Sequence, residues 1–530
     1  MGKRKKSIPT RPPVTKRERI NAYVVVFLVS FSMLVIEVVA GRILAPHVGV
    51  SLYTWTSIIG VVLAGISAGA YLGGVMADRF PRLPTLGWIL FLSSLAVFSI
   101  SPLINWIGGS VFHTHLMVRI LWVTTVVFFV PSCLLGMVSP LVVKLVLSHL
   151  EEAGSVAGRI YAFSTAGSIL GTFTAGFFLI SWMGTRNLLF ATGALLLLTA
   201  PLFGGFFTQR WRIAVFLAFL LLLWPLYRYT SSPALDKETF FFKESDYFTI
   251  KLRKEPGSPG NPLITLYLDN LSHSRSDPGN PLRLDFRYIR SYEEIVRWWA
   301  TRRETFRTLF IGGGGYTFPR FIETKYPKAE IEVVEIDPEV TRVSQRHLGL
   351  SPMSKIQTFN EDARWFVMNL KGEGRYDLIF EDAFNDLSIP YHLTTQEFAI
   401  HLKRLLKKDG LLLTNVIDRF EKGSFLPSYI RTLEQVFGRG NVHLITLGEF
   451  RDYTGVTNRI VVTSPQKLEI EDLAKGLNSL GKNERMSYIV PQELLQQYLR
   501  QFAPIILTDD YVPVDNLTAP NFDALYNYGR

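Results

Sequence analysis

Between Tyr23 and Leu226 the chain is a succession of apolar stretches, each close to the length of about 20 residues that lets one helix cross the hydrocarbon of a bilayer. They run from Tyr23 to Leu44, Tyr53 to Met76, Leu86 to Ile107, Met117 to Leu147, Ala157 to Trp182, Leu188 to Phe207 and Ile213 to Leu226. This succession predicts a transmembrane domain of about seven helices over residues 21–229. Residues 1–20 precede it as a basic tail carrying Lys3, Arg4, Lys5, Lys6, Arg11, Lys16, Arg17 and Arg19. No small-residue cleavage site follows the tail, so it reads as an anchor flank and not as a signal peptide.

Composition removes several other classes. Of 530 residues, 48% are hydrophobic and 19% charged, too apolar for disorder and too apolar for a string of soluble domains. The single cysteine, Cys133, lies inside an apolar run, which leaves no disulfide scaffold and no thiolate metal site; no metal is expected. The net charge of +11 has the look of a nucleic-acid footprint until it is divided along the chain. Residues 1–229 hold 18 Lys and Arg against 5 Asp and Glu, a surplus of +13, while the remainder holds 38 against 40, or −2. The excess therefore belongs to loops that set membrane topology, and nucleic acid is excluded as a partner. The partner of the apolar half is the lipid bilayer.

Cations alternate between the two sides of the spans. Arg79, Arg82, Lys144, Arg159, Arg210 and Arg212 fall on the side of the amino terminus, and only Arg119 and Arg186 on the other, which predicts a cytoplasmic amino terminus. Seven crossings would export the polar half; the long window Met117 to Leu147, interrupted by Pro131 and Pro140, is the place where a count of seven is most open. Small residues recur as Gly65, Ser67, Gly69, Gly73 and as Gly167, Gly171, Ala175, a pattern for close helix packing. Glu37 and Arg42 are the charges that could mark a polar pathway through the first helix, or an interhelical tie.

After Tyr229 the pattern changes. Residues 230–286 read as a small β region: Phe240 to Lys254 and Leu263 to Ser274 alternate in polarity and are joined by the turn Glu255 to Pro262. Residues 287–530 begin with a helix through Tyr288 to Arg303 and then alternate strand and helix. Strands are expected at Thr308–Ile311, Ile331–Glu335, Lys355–Phe359, Tyr376–Glu381, Gly410–Val416, Val442–Leu447 and Arg459–Thr463, which makes a doubly wound α/β domain.

The first of these strands runs into Gly312, Gly313, Gly314 and Gly315, and the second ends in Glu335. A glycine turn lets a ligand approach the backbone closely, and an acid about 20 residues on can grip ribose hydroxyls. The third strand leads to Glu361 and Asp362, and Asp362 can accept from an adenine amine. The fourth leads to Asp382, Asn385 and Asp386. Acids at the carboxyl ends of successive strands surround one crevice, where open α/β sheets bind ligands.

In order, Ser245-Asp246-Tyr247, Leu268-Asp269, the Gly312 turn, Glu335-Ile336-Asp337, Glu361-Asp362 and Asp382 resemble the motifs of spermidine synthases, and the whole chain resembles bacterial proteins in which a multi-span membrane domain is fused to an aminopropyltransferase-like domain. The resemblance implies a class I methyltransferase-like, Rossmann-type sheet of seven strands with a β region before it. It implies decarboxylated S-adenosylmethionine as co-substrate and transfer of its aminopropyl group onto an amine or polyamine such as putrescine. Carried over by residue, Gly312, Gly313, Gly314, Glu335 and Asp362 would bind the nucleoside, and Asp382 would deprotonate or orient the attacking amine. Tyr288 or Tyr292 would match a tyrosine of the substrate pocket, with His273 where the family has a glutamine and Asp386 as a shifted second acid. The family's aspartate for the aminopropyl ammonium is replaced by Gly315, which keeps open a methyltransferase using intact S-adenosylmethionine. A third reading is a polyamine or cation transporter with a nucleoside-sensing domain. Cofactor supply places the catalytic domain on the cytoplasmic face of the bacterial inner membrane, in a chain that could form a homo-oligomer.

Overall fold

In the computed structural model, residues 14–107, 116–147, 149–205, 209–231, 236–258, 261–269, 271–383, 389–448, 455–478 and 485–528 are described. The chain divides into two compact units, Met1–Val48 with Leu52–Ala234, and Gly49–Ser51 with Leu235–Arg530.

Among the described residues the first unit has five helical runs long and apolar enough to cross a membrane: Lys16–Val48, Leu52–Arg79, Leu83–Ile107, Met117–Val146 and Ala153–Phe203. The difference from seven windows has a local cause. Ala153–Phe203 is 51 residues long and takes in two expected windows; its backbone leaves helical geometry at Gly184, with φ 76° and ψ 166°. The last window lies in Arg210–Ser231, a helix outside those five that carries Arg210 and Arg212 at its start and Arg228 in its last turn. The glycine stripes sit where helices touch. A Cβ on Gly69 would stand 2.0 Å from the Cys133 carbonyl oxygen, and one on Gly167 would stand 2.3 Å from that of Phe27. Backbones this close pack through van der Waals contact, the main attraction available between helices in lipid.

The second unit opens with four antiparallel strands in sequential order, β1 (Thr239–Glu244), β2 (Thr249–Ser258), β3 (Asn261–Leu268) and β4 (Leu271–Ser276). This is a meander where the sequence suggested a hairpin region. Phe248, Ile250, Leu252, Ile264, Leu266 and Leu268 form its buried face together with Val340, Val343 and Leu348.

The larger sheet contains β5 (Arg307–Ile311), β6 (Glu330–Val334), β7 (Gln357–Phe359), β8 (Tyr376–Glu381), β9 (Leu406–Arg419), β10 (Val442–Thr446), β11 (Val456–Thr463) and β12 (Tyr488–Ile489). Their spatial order is β12-β10-β11-β9-β8-β5-β6-β7. Seven of the strands match the expected class I methyltransferase-like sheet, and the eighth, β12, adds two residues at the edge beside β10. The pairs β5–β6, β5–β8, β6–β7 and β8–β9 are parallel, and β11 runs antiparallel to both β9 and β10. Chain order reverses between β5 and β8, so the strand ends part there and leave a crevice. Strand β8 is buried at every position, as expected of a central parallel strand with both faces covered. Under the crevice Phe310 and Phe380 stack at 4.6 Å, with Tyr292 and Phe318 both set edgewise to Phe380.

Candidate active site

The strand ends are tied in register before any side chain is considered. Gly312 N donates to Val334 O at 2.9 Å, Glu335 N to Phe359 O at 3.0 Å and Asp382 N to Ile311 O at 2.9 Å. Gly312 has φ +95°, and a Cβ there would lie 2.4 Å from the Asp382 carbonyl oxygen. Only glycine allows the chain to turn this close to the neighbouring strand.

Glu335 is buried, and both of its oxygens accept from backbone. Oε2 takes Gly313 N at 2.8 Å and Gly314 N at 3.2 Å, and Oε1 takes Asp337 N at 3.0 Å. Burial raises its pKa, while these three bonds pull it down. Glu335 thus fixes the glycine turn, with one of its four lone-pair sites remaining, on Oε1. Asp337 caps the helix Pro338–His347 by accepting from Glu339 N at 2.8 Å and also accepts from the Ser245 hydroxyl, which explains Ser245-Asp246-Tyr247 as a tie between the small sheet and this turn. Asp269, with φ 54°, accepts from Thr249 N at 2.9 Å and shapes the end of β3.

Asp362 caps the helix Ala363–Asn369 through Oδ1 and Trp365 N at 2.9 Å, while its Oδ2 lies 2.9 Å from His392 Nε2. The helix Gln396–Leu405 that follows His392 is capped by Thr395, whose hydroxyl accepts from Phe398 N at 3.3 Å. Arg364 donates to the His392 carbonyl at 2.8 Å and pairs with Asp509. Asp509, near the carboxyl end, thereby holds the Arg364 side chain that ties down the His392 segment.

Asp382 stands between two donors. Tyr288 Oη donates to Oδ2 at 3.0 Å and Asn415 Nδ2 to Oδ1 at 2.8 Å. Burial pushes its pKa up to about 6 against both bonds. Tyr292, one turn along the helix Arg287–Ala300, is 2% exposed, and its hydroxyl is buried with no hydrogen-bond partner among the described residues. Burial and the Asp382 charge raise the pKa of both tyrosines, so both remain neutral hydroxyls. His273 Nδ1 lies 3.0 Å from Leu271 O.

Gly312, Gly313, Gly314, Glu335, Asp362, Asp382, Tyr288, Tyr292 and His273 all line one cavity of about 620 Å³, a size suited to a nucleoside-bearing ligand with a small second substrate. Asp386 lies outside the described residues. The sequence reading missed Asn415, Asn458 and Ser274 on the same wall. The signal for Asn415 was Thr414-Asn415, a polar pair inside the otherwise apolar run Leu411 to Ile417. Gly315 faces Ser274 so closely that a Cβ would stand 1.9 Å from its Oγ, and that hydroxyl has no partner among the described residues. Glu381 turns to the other face, where its Oε2 accepts from Thr414 and Tyr429 hydroxyls at 2.8 and 2.7 Å. The described residues hold no cluster of side chains suited to a metal ion.

An eight-stranded sheet of methyltransferase-like order, with an acid-lined crevice at its strand ends, defines the class of the second unit. Residues 300–467 match the spermine/spermidine synthase domain family. A polyamine aminopropyltransferase of Vibrio vulnificus is 36% identical over 134 residues, 25% of this chain and 44% of that protein. Polyamine aminopropyltransferase 2 of Aquifex aeolicus is 25% identical over 443 residues, 77% of this chain and 82% of that one, a stretch too long to fall in the polar half alone. The eEF1A lysine and N-terminal methyltransferase of Mus musculus is 29% identical over 119 residues, 21% of this chain and 17% of that protein. The chain thus spans less than half the length of the Vibrio protein.

Proposed function

We propose that the protein is a membrane-anchored polyamine aminopropyltransferase, moving the aminopropyl group of decarboxylated S-adenosylmethionine onto an amine such as putrescine. The observation that carries this reading is Asp382, held between Tyr288 and Asn415 in the cavity that also contains Glu335 and Asp362. Glu335 and the glycine turn would receive the ribose, and Asp362 the adenine amine once His392 yields its place on Oδ2. The amine nitrogen forms a bond to the carbon next to sulfur, and the C–S bond breaks with its electron pair passing to sulfur, which leaves methylthioadenosine. The amine sheds a proton, and Asp382 can accept it: a carboxylate raised to about 6 is mostly ionised at neutral pH yet more basic than an exposed one. The Tyr292 hydroxyl, unpartnered and beside Asp382, can orient the amine. The rest of the chemistry is alignment, because a sulfonium is already a strong leaving group.

The domain is placed in the cytoplasm, where such sulfonium donors are made, and the apolar unit in the bacterial inner membrane. Product analysis by mass spectrometry tests the reading. Purified full-length protein is given decarboxylated or intact S-adenosylmethionine with a panel of di- and polyamines. Methylthioadenosine together with an aminopropylated amine is expected; no product from the decarboxylated donor would refute it. Gly315 packed on Ser274 favours a second reading, a methyltransferase using the intact donor, since no carboxylate can stand at that corner without displacing β4. S-adenosylhomocysteine among the products would select it.

A further inference from the structure

Asp382, Asn415 and Asn458 form a row across three neighbouring strand segments. Glu381 pairs with Thr414 in the parallel register of β8 and β9, which sets the next residues, Asp382 and Asn415, side by side. Asn415 pairs with Ile460, and Asn458, two residues away on β11, shares its face as a diagonal neighbour. The hydrogen bonds along this row can run in one direction only. An ionised carboxylate accepts and does not donate, so Asn415 must turn its amide NH2 toward Asp382, at 2.8 Å. Its carbonyl oxygen then points the other way, where Asn458 Nδ2 donates to it at 3.1 Å.

We propose that Asn458 is a positioning residue for Asp382: by holding the carbonyl of Asn415, it keeps the amide donor of Asn415 on the carboxylate and so keeps that carboxylate ionised and oriented at neutral pH. The proposal rests on the reading of Asp382 as the proton acceptor. If position 458 offers no donor, the Asn415 amide can rotate by half a turn and present its own oxygen to Asp382, which favours the protonated acid. Few other groups face this carboxylate. Tyr288 and Tyr292 come from the helix Arg287–Ala300, and both are neutral hydroxyls. Arg287 and His273 stand elsewhere on the cavity wall, Arg287 donating to the Leu447 carbonyl and His273 contacting the Leu271 carbonyl. Glu381 precedes Asp382 but turns to Thr414 and Tyr429. Asn415 and Tyr288 are thus the groups that oppose the effect of burial on Asp382.

The test uses the full-length protein with Asn458→Leu, Asn458→Asp, Asn415→Leu and the double variant Asn415→Leu/Asn458→Leu. Two quantities are followed against pH: kcat for aminopropyl transfer, and the ionisation of Asp382 from the infrared carboxyl difference between each protein and its Asp382→Asn counterpart. Asn458→Leu should raise the midpoint of both by about one pH unit, the worth of one hydrogen bond to a charged group, with methylthioadenosine affinity unchanged. Asn458→Asp, of the same shape but accepting where Asn458 donates, should raise it at least as far. In the Asn415→Leu background, Asn458→Leu should add nothing, since the effect passes through Asn415. An unmoved midpoint in either folded Asn458 variant, or an equal shift with Asn415 removed, overturns the proposal. Infrared midpoints that move as expected in a protein transferring no aminopropyl group would leave the relay standing and sink the functional reading instead.

Discussion

Replacing Glu335 by Gln changes the nucleoside end of the cavity by one atom and one charge. In the native chain Oε2 accepts from Gly313 N at 2.8 Å and Gly314 N at 3.2 Å, and Oε1 from Asp337 N at 3.0 Å. An amide has one accepting oxygen. If that oxygen stays with the glycine pair, its NH2 group meets the Asp337 N–H, donor against donor; if it turns round, both glycine N–H groups lose their partner. A buried donor left unsatisfied costs about 1–3 kcal/mol. Burial already disfavours the Glu335 carboxylate, so removing the charge returns part of this, and a folding loss near the low end, about 1–2 kcal/mol, is expected. Ligand binding should suffer more, because ribose hydroxyls would lose charge-assisted bonds: methylthioadenosine affinity should fall by about 10- to 100-fold, equivalent to about 1.4–2.7 kcal/mol. Calorimetric titration of the full-length protein with methylthioadenosine, beside a thermal unfolding curve, measures both. A lowered Tm with unchanged affinity would make Glu335 a brace for the turn and nothing more; unchanged values of both would refute the account altogether.

Asp382→Asn should lower turnover by about 10² to 10⁴ while methylthioadenosine binding stays nearly intact, and full activity in that variant would reduce Asp382 to the end of a strand. Glu381 has its pKa raised to about 7 by burial. Its neutral form therefore adds stability that is present below the ordinary carboxylate range and lost as pH rises through 7, up to about 3 kcal/mol, and Glu381→Gln should flatten that fall in a pH series of unfolding curves. Gly315→Ala should destabilise by about 1–3 kcal/mol by pressing on Ser274, and Ser274→Gly should restore most of it; an unshifted Tm in the first variant would show the contact to be slack. A tag after Arg530 should be shielded from an impermeant reagent in intact cells, and labelling there would contradict a cytoplasmic domain.

Much of the architecture is legible in the chain because it follows from local rules. Apolar length marks the membrane helices, alternation marks β1 to β4, and the runs Thr308–Ile311 and Tyr376–Glu381 bounded by glycine and acids mark central strands with their chemistry at the carboxyl ends. Motif order placed Glu335, Asp362 and Asp382 around one crevice for the same reason: parallel strands deliver their ends to one edge. The break at Gly184 was not legible, since a glycine in an apolar run looks the same whether the helix passes through it or bends.

What each site residue touches was decided by the tertiary structure. Asp362 shares its second oxygen with His392, 30 residues on, and Asp509 reaches Arg364 across 145 residues. Spacing could not choose between Tyr288 and Tyr292, because both lie on one face of one helix; only the position of Asp382, just past the end of β8, separates a hydroxyl that donates to it from one left unpartnered. The row Asp382, Asn415, Asn458 is likewise a matter of register between strands far apart in the chain. Local sequence determines period and propensity, whereas register depends on which distant segments are brought side by side, and here that register decides which polar atoms stand beside the carboxylate.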